Sequence, residues 1–295
     1  MKAYIHIGTH KAGSTTIQDY FAQAAPLFGD KLLYYPFGYN LAQKIRDKEL
    51  TIRMIPHMIP SLEEDLTKTG AKSVFLSGEA FLGDYNSAYS EAYPIARFVE
   101  ALFANFEVYI IILFRSQPNF YESMYQQEIK TGQSFSFERF LDVVPWKNFD
   151  WNKILSQSYE KVFGAERIKA LPFELFFTEY NPIAALSDFM EVPYFDQIYK
   201  NMPKRNNSIS RLGLELFRDI NAKVTDPKII RKFRKLFESD FPKTRQCPSL
   251  ISQQLRQEMH DYFLETNTVL LQKMGFGEQG NRKQTAIVPK IWAGV

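Results

Sequence analysis

Cysteine is nearly absent: Cys247 stands alone in 295 residues. That excludes a disulfide framework and any metal site built from several thiolates. Long apolar runs are missing too. The longest, Val108–Phe114, falls far short of the roughly 20 residues a membrane helix needs. Charge of one sign is not in excess. Lys and Arg total 36 against 33 Asp and Glu, and the net of +3 is too small to mark a nucleic-acid binder. There is no internal repeat and no low-complexity tract. The opening Met1-Lys2-Ala3-Tyr4-Ile5-His6-Ile7-Gly8 reads as a strand entering a Gly turn, leaving no room for a signal peptide's apolar region. A cytoplasmic protein is the expectation. What is present is ordinary for a globular chain, with 45% hydrophobic and 23% charged residues, which excludes disorder. Aromatics reach 15%, enough for a large core and for surfaces that stack planar or sugar ligands. The length suits one large or two small domains.

Three short apolar runs, Tyr4–Ile7, Ser73–Leu76 and Val108–Phe114, read as buried strands of a parallel sheet, with a weaker fourth at Ile168–Leu171. Helical patterns follow at Ser14–Ala24 and Pro118–Lys130, the second with Ser116 as N-cap. Strands separated by helices predict an α/β fold with crossovers. From Ser208 the pattern is helical: Ser208–Val224, Pro227–Glu238 and Ser249–Met274. The expected organisation is an α/β core over residues 1–205, a helical lobe over 206–274 and a tail over 275–295.

The sharpest signal is Ile5-His6-Ile7-Gly8-Thr9-His10-Lys11-Ala12-Gly13-Ser14-Thr15-Thr16. Strand, Gly-bounded loop and helix start come in the order a phosphate cradle requires, with amides turned inward and a helix N-terminus adding its positive end. Gly8 and Gly13 match the G-x-x-x-x-G spacing, but Ser14 stands where a nucleotide triphosphatase carries Lys. The only Lys of the loop is Lys11. Neither the strand ending at Leu76 nor that ending at Phe114 finishes in the Asp that helps hold Mg²⁺ in such enzymes. The loop is thus predicted to grip a phosphate-like group without a metal. A second signal is Arg115, at the tip of a buried strand where open α/β sheets bind ligands. Its guanidinium suits a phosphate through two hydrogen bonds. Ser123 lies roughly 8 Å along the next helix from Pro118, and shares that phosphate if the helix leans over the sheet edge.

Together these residues resemble the P-loop sulfotransferases, which use 3′-phosphoadenosine 5′-phosphosulfate (PAPS) as donor. The HIGTHKAGSTTIQ opening resembles their 5′-phosphosulfate loop, and Arg115 with Ser123 their 3′-phosphate site. The likeness extends through Tyr125-Gln126-Gln127-Glu128-Ile129-Lys130-Thr131-Gly132, Phe163-Gly164-Ala165-Glu166, Leu171-Pro172-Phe173-Glu174 and Asn207-Ser208-Ile209-Ser210. It looks closest to the bacterial carbohydrate-type branch and covers about residues 3–222. It implies a Rossmann-like fold, a glycan or glycolipid acceptor and no metal requirement, but leaves the acceptor unidentified.

By the same resemblance, Glu79, in Ser77-Gly78-Glu79-Ala80-Phe81 after the second strand, is the base that takes the acceptor's proton. Lys11 neutralises charge on the bridging oxygen. Gly8, His10, Ala12, Gly13, Ser14, Thr15 and Thr16 form the 5′-phosphate loop. Phe173 is placed near the adenine, and Lys204 and Arg205 close over the 3′-phosphate. His10 and His57 are weaker alternatives for the base.

Ten Lys or Arg fall between Lys204 and Lys235 against only Glu215, Asp219 and Asp226, so this stretch carries +7 and the rest of the chain −4. Ile229, Ile230, Phe233, Leu236 and Phe237 recur there at helical spacing opposite Lys228, Arg231, Lys232 and Lys235. Such a helix can be simply solvated, or can meet an anionic acceptor or an anionic inner-membrane surface. Two other readings stay open: a P-loop kinase using ATP and Mg²⁺, and a non-catalytic nucleotide- or glycan-binding protein.

Overall fold

The computed structural model describes residues 1–36, 38–50, 54, 63–177, 180–203, 208–244, 247–276 and 292. Lys204, Arg205, His57 and all of the tail beyond Phe276 except Trp292 lie outside them.

Five parallel strands form one sheet in the order β2-β3-β1-β4-β5. They are β1 (Lys2–His6), β2 (Leu33–Tyr35), β3 (Ser73–Ser77), β4 (Glu107–Phe114) and β5 (Ile168–Pro172). The α/β class read from the sequence is thus the observed one. Strands buried on both faces show continuous apolar runs, and Ile110–Phe114 is wholly buried. The edge strand β2 escapes that signal, being three half-buried residues.

Helices cover the sheet: α1 (Ser14–Ala24), α2 (Gly38–Arg46), α3 (Ala92–Leu102), α4 (Gln117–Lys130), α5 (Phe137–Val143), α6 (Trp151–Gln157), α7 (Tyr159–Phe163), α8 (Pro182–Phe189) and α9 (Asp196–Asn201). They are followed by α10 (Arg211–Asn221), α11 (Pro227–Asp240) and α12 (Gln253–Lys273). Helix α10 starts three residues later than the periodicity predicts. Ile209 bridges to Pro242, and the Ser210 hydroxyl accepts from the Gly213 amide, so the helix is capped there. Helices α10, α11 and α12 all pack on α4, and α12 also packs on α6. The contact with α12 is made by buried amides: Gln117 and Asn267 exchange two hydrogen bonds of 3.0 Å. No described helix is long and apolar enough to cross a membrane.

The order of the strands sets the site. The chain moves from β1 to one side for β2 and β3, then returns to the other side for β4. The crevice above the carboxyl ends of β1 and β4 is therefore a topological switch point, where such sheets take ligands.

Candidate active site

The loop 7–13 leaves β1 and is tied back to the sheet. Ile7 N–H donates to Ile111 O at 2.9 Å, and the Thr9 hydroxyl donates to Leu113 O at 2.9 Å. Two glycines are needed where they stand. Gly13 has φ +87° and faces Phe173 and Phe176, where a Cβ would meet Phe176 at 2.9 Å. At Gly8 a Cβ would press on His6 Nε2 at 2.7 Å and Ser14 Oγ at 2.9 Å. Lys11 is held in the left-handed region at φ 61°, a strained conformation for a side-chain-bearing residue. Helix α1 begins at Ser14 with no side-chain cap; the Thr16 amide donates to Gly13 O at 2.9 Å, which leaves the amides ahead of it as donors a helix start can offer to an anion.

Below the loop, His6 Nδ1 shares a 2.8 Å hydrogen bond with Ser77 Oγ, which also accepts from Gln18 Nε2 at 3.1 Å. This trio fastens β1, β3 and α1 beneath the crevice. Burial pushes the His6 pKa down to about 3, so the ring is neutral.

Arg115 emerges from the end of β4 and crosses to the loop. Its Nη1 donates to the Lys11 carbonyl at 2.9 Å, and the guanidinium lies 4.8 Å from the Phe173 ring centre. Its own carbonyl accepts from Trp151 Nε1 at 2.8 Å. Burial disfavours the charge, and the carboxylates of Glu174 and Glu122 act against that. The start of α4 departs from expectation. Ser116 occupies the N-cap position, but its hydroxyl makes no capping bond. The Glu174 carboxylate accepts from the Ser116 amide at 3.0 Å instead, an acidic group at a helix N-terminus. The other Glu174 oxygen accepts from Trp292 Nε1 at 2.8 Å.

Three buried polar atoms around the loop have no hydrogen-bond partner: Ser14 Oγ, Arg115 Nε and His6 Nε2. Orphans of this kind are uncommon, and two of these belong to side chains expected to hold phosphate. The hydroxyl at the start of α1 and the guanidinium at the end of β4 are thus each left with hydrogen-bonding capacity that an anion would satisfy.

Lys11 reaches the far wall of the crevice. Its Nζ donates to Gln127 Oε1 on α4 at 3.0 Å. Gln127 is one turn beyond Ser123, so both lie on the side of α4 turned to the loop. Burial pushes the Lys11 pKa down to about 8, against the pull of the Glu79 carboxylate. Glu79 opens a short 3₁₀ turn (Glu79–Phe81) just past β3 and is half-buried. Its charge also acts on His10 and Tyr89. His10 is enclosed by aromatics. Its backbone N–H donates to the Tyr89 hydroxyl at 3.3 Å, its Nδ1 shares a 2.9 Å bond with the same oxygen, and Tyr85 packs edge-on. Burial lowers the His10 pKa.

The structure therefore brings together Gly8, His10, Lys11, Ala12, Gly13, Ser14, Arg115 and Phe173, with Glu79 beside them and Ser123 on the facing helix. Thr15 and Thr16 lie in the first turn of α1, both half-buried. Gln127 and Glu174 were missed by sequence reasoning. Gln127 had a signal, its four-residue spacing from Ser123; Glu174 had none beyond its neighbour Phe173. Among the described residues, no group of three His, Cys, Asp or Glu is placed to hold a metal ion.

No family model and no curated protein matches this chain. Among solved structures, it is similar to a sulfotransferase from Alicyclobacillus acidocaldarius, at 13% identity and a TM-score of 0.49, over 92% of this chain and 94% of that one. At that distance, function has to be argued from the site.

Proposed function

We propose that the protein is a sulfotransferase that moves a sulfuryl group from PAPS to a hydroxyl or amine of a glycan or glycolipid acceptor. The observation that supports this best is the join between two remote segments. Arg115 meets the carbonyl of Lys11 while its Nε, and Ser14 Oγ at the start of α1, stay unpartnered. A donor with phosphates at both the 5′ and 3′ positions suits that arrangement better than one with a single phosphate chain. The kinase reading is weaker, because β3 ends in Ser77 and β4 in Phe114, where neither supplies the strand-end Asp that helps hold Mg²⁺ in such enzymes.

In this reading the loop amides other than those of Ile7, Thr9, His10 and Ala12, which bond within the protein, hold the 5′-phosphate with Ser14, Thr15 and Thr16, and Gly8, His10, Ala12 and Gly13 shape the loop. Arg115 and Ser123 take the 3′-phosphate, and Phe173 flanks the adenine. Lys204 and Arg205, outside the described residues, are proposed to cover the 3′-phosphate. The acceptor oxygen bonds to sulfur as the bond from sulfur to the bridging oxygen breaks. Glu79 takes the proton lost by the acceptor, and Lys11 faces the charge that develops on the leaving phosphate. Catalysis is then mainly positioning and charge stabilisation.

The test is transfer of labelled sulfate from PAPS into a panel of glycans. Wild-type protein is expected to label at least one of them, and Glu79→Gln to lower turnover by about 10²-fold while donor affinity stays within a few fold. Equal turnover in the variant removes Glu79 as the base. If no label reaches any glycan although the donor binds, the non-catalytic reading prevails.

A further inference from the structure

One residue of the tail is built into the wall of the crevice. Trp292 is only 3% exposed, and its Nε1 donates to Glu174 Oε2 at 2.8 Å across 118 residues of chain. Glu174 is equally buried, and its other oxygen accepts from the Ser116 amide at 3.0 Å. A buried carboxylate is costly unless hydrogen bonds satisfy it, and here each oxygen has a donor. Neither donor carries a charge. The peptide between Arg115 and Ser116 is thereby held at both of its polar groups: the carbonyl accepts from Trp151 Nε1 at 2.8 Å, and the N–H donates to the carboxylate that Trp292 holds.

Burial weighs against the charge of Arg115, and of the two carboxylates that favour it Glu174 acts more strongly. Glu174 is nonetheless not spent on the guanidinium. Arg115 Nη1 goes to the Lys11 carbonyl, and Nε has no partner. Glu174 follows Phe173, the ring on which that guanidinium packs. A carboxylate so placed would ordinarily be drawn into a bidentate pair with it. Such a pair would occupy the edge of the guanidinium that a phosphate needs.

We propose that Trp292 is a positioning residue of the nucleotide site: it holds the Glu174 carboxylate on the Arg115–Ser116 peptide and off the guanidinium, leaving Arg115 free for the 3′-phosphate. The inference rests on the sulfotransferase reading for the identity of that anion, and adds a residue of the tail to the site. Without the indole N–H, the buried Glu174 Oε2 loses its donor, and the unpartnered N–H of Arg115 Nε takes its place. The guanidinium is then neutralised from within the protein.

The test is a cycle of Trp292→Phe and Glu174→Gln, read by calorimetry with 3′,5′-bisphosphoadenosine and with adenosine 5′-phosphosulfate, which lacks the 3′-phosphate. Phe keeps most of the packing and removes the N–H. Trp292→Phe is expected to weaken bisphosphoadenosine binding about tenfold, and to leave adenosine 5′-phosphosulfate within about twofold. In the Glu174→Gln background the same replacement is expected to change bisphosphoadenosine affinity by less than about twofold, because a neutral amide does not compete for the guanidinium. A second readout needs no nucleotide. In arginine-labelled free protein, the Arg115 Nε–H resonance is expected to move downfield in Trp292→Phe, as the carboxylate takes it, and to return in the double variant. Wild-type affinity in Trp292→Phe, a loss shared equally by both nucleotides, or a loss undiminished in the Glu174→Gln background overturns the proposal; the last two leave Trp292 a packing role alone. An unmoved Arg115 resonance also overturns it. Failure of bisphosphoadenosine to bind the wild type counts instead against the sulfotransferase reading, and the resonance then decides the positioning role by itself.

Discussion

Arg115 Nη1 donates to the Lys11 carbonyl across 2.9 Å, joining two loops that are 104 residues apart in the chain. The bond ties the end of β4 to the strained residue of the loop 7–13, with the Phe173 ring packed on the guanidinium. Arg115 therefore both braces the loop and offers an unpaired Nε to a ligand.

Replacing Arg115 by Ala removes both functions. Affinity for bisphosphoadenosine is expected to fall at least about tenfold, the usual scale for losing a hydrogen bond to a charged group. Arg115→Lys should recover only part of it, because an ammonium cannot reproduce the fork. Calorimetry on the two variants checks this, and unchanged affinity in Arg115→Ala removes the residue from the site.

Lys11 should behave as an unusually acidic lysine. Its pKa, pushed down to about 8 by burial, makes a large neutral fraction available near that pH. Competitive labelling with acetic anhydride as a function of pH is expected to give a midpoint near 8 for Lys11, rising when bisphosphoadenosine supplies negative charge beside it. Lys11→Met should lower turnover by about 10²–10³-fold.

His6 couples stability to pH. Its folded pKa of about 3 lies below the ordinary unfolded value near 6.5. Between those values the unfolded chain binds the extra proton. The contribution is therefore fully present above about pH 6.5 and is lost progressively as pH falls toward 3. Melting temperature should drop from pH 7 to pH 5, and His6→Gln should flatten the slope. His10, also lowered by burial, keeps some slope in that variant.

The Gln117–Asn267 pair offers a control remote from the chemistry. Asn267→Ala leaves the buried Gln117 carbonyl oxygen without its partner, at a cost of about 1–3 kcal/mol. Urea denaturation should show this loss, while bisphosphoadenosine affinity stays unchanged.

What could be read from the sequence follows from which signals are local. Strands β1, β3 and β4 were legible because burial on both faces demands continuous apolar runs, β5 more weakly because its first three residues are only half-buried, and α1 was legible to the residue because Gly13 and Ser14 punctuate its start. Strand β2 was not, being three residues long and half-buried. The turn of the loop 7–13 and the place of Arg115 just past β4 were legible because glycine spacing and strand ends leave local marks. The partners that set their geometry were not. Gln127 on Lys11, Glu174 at the start of α4 and Glu238 between Lys130 and Arg234 are polar residues whose meaning comes only from what lies opposite. The periodicity of α11 marked Ile229 and Leu236 as part of its apolar side, yet both are exposed, because only Ile230, Phe233 and Phe237 meet the body.

The central claim, a metal-independent site for a doubly phosphorylated adenosine, is tested most directly by calorimetry in EDTA. Bisphosphoadenosine is predicted to bind at one site per chain with an affinity that added Mg²⁺ does not improve, and ATP with Mg²⁺ to bind more weakly. Tighter binding of ATP with Mg²⁺, or a requirement of bisphosphoadenosine for metal, would contradict the account and return the fold to the kinase reading.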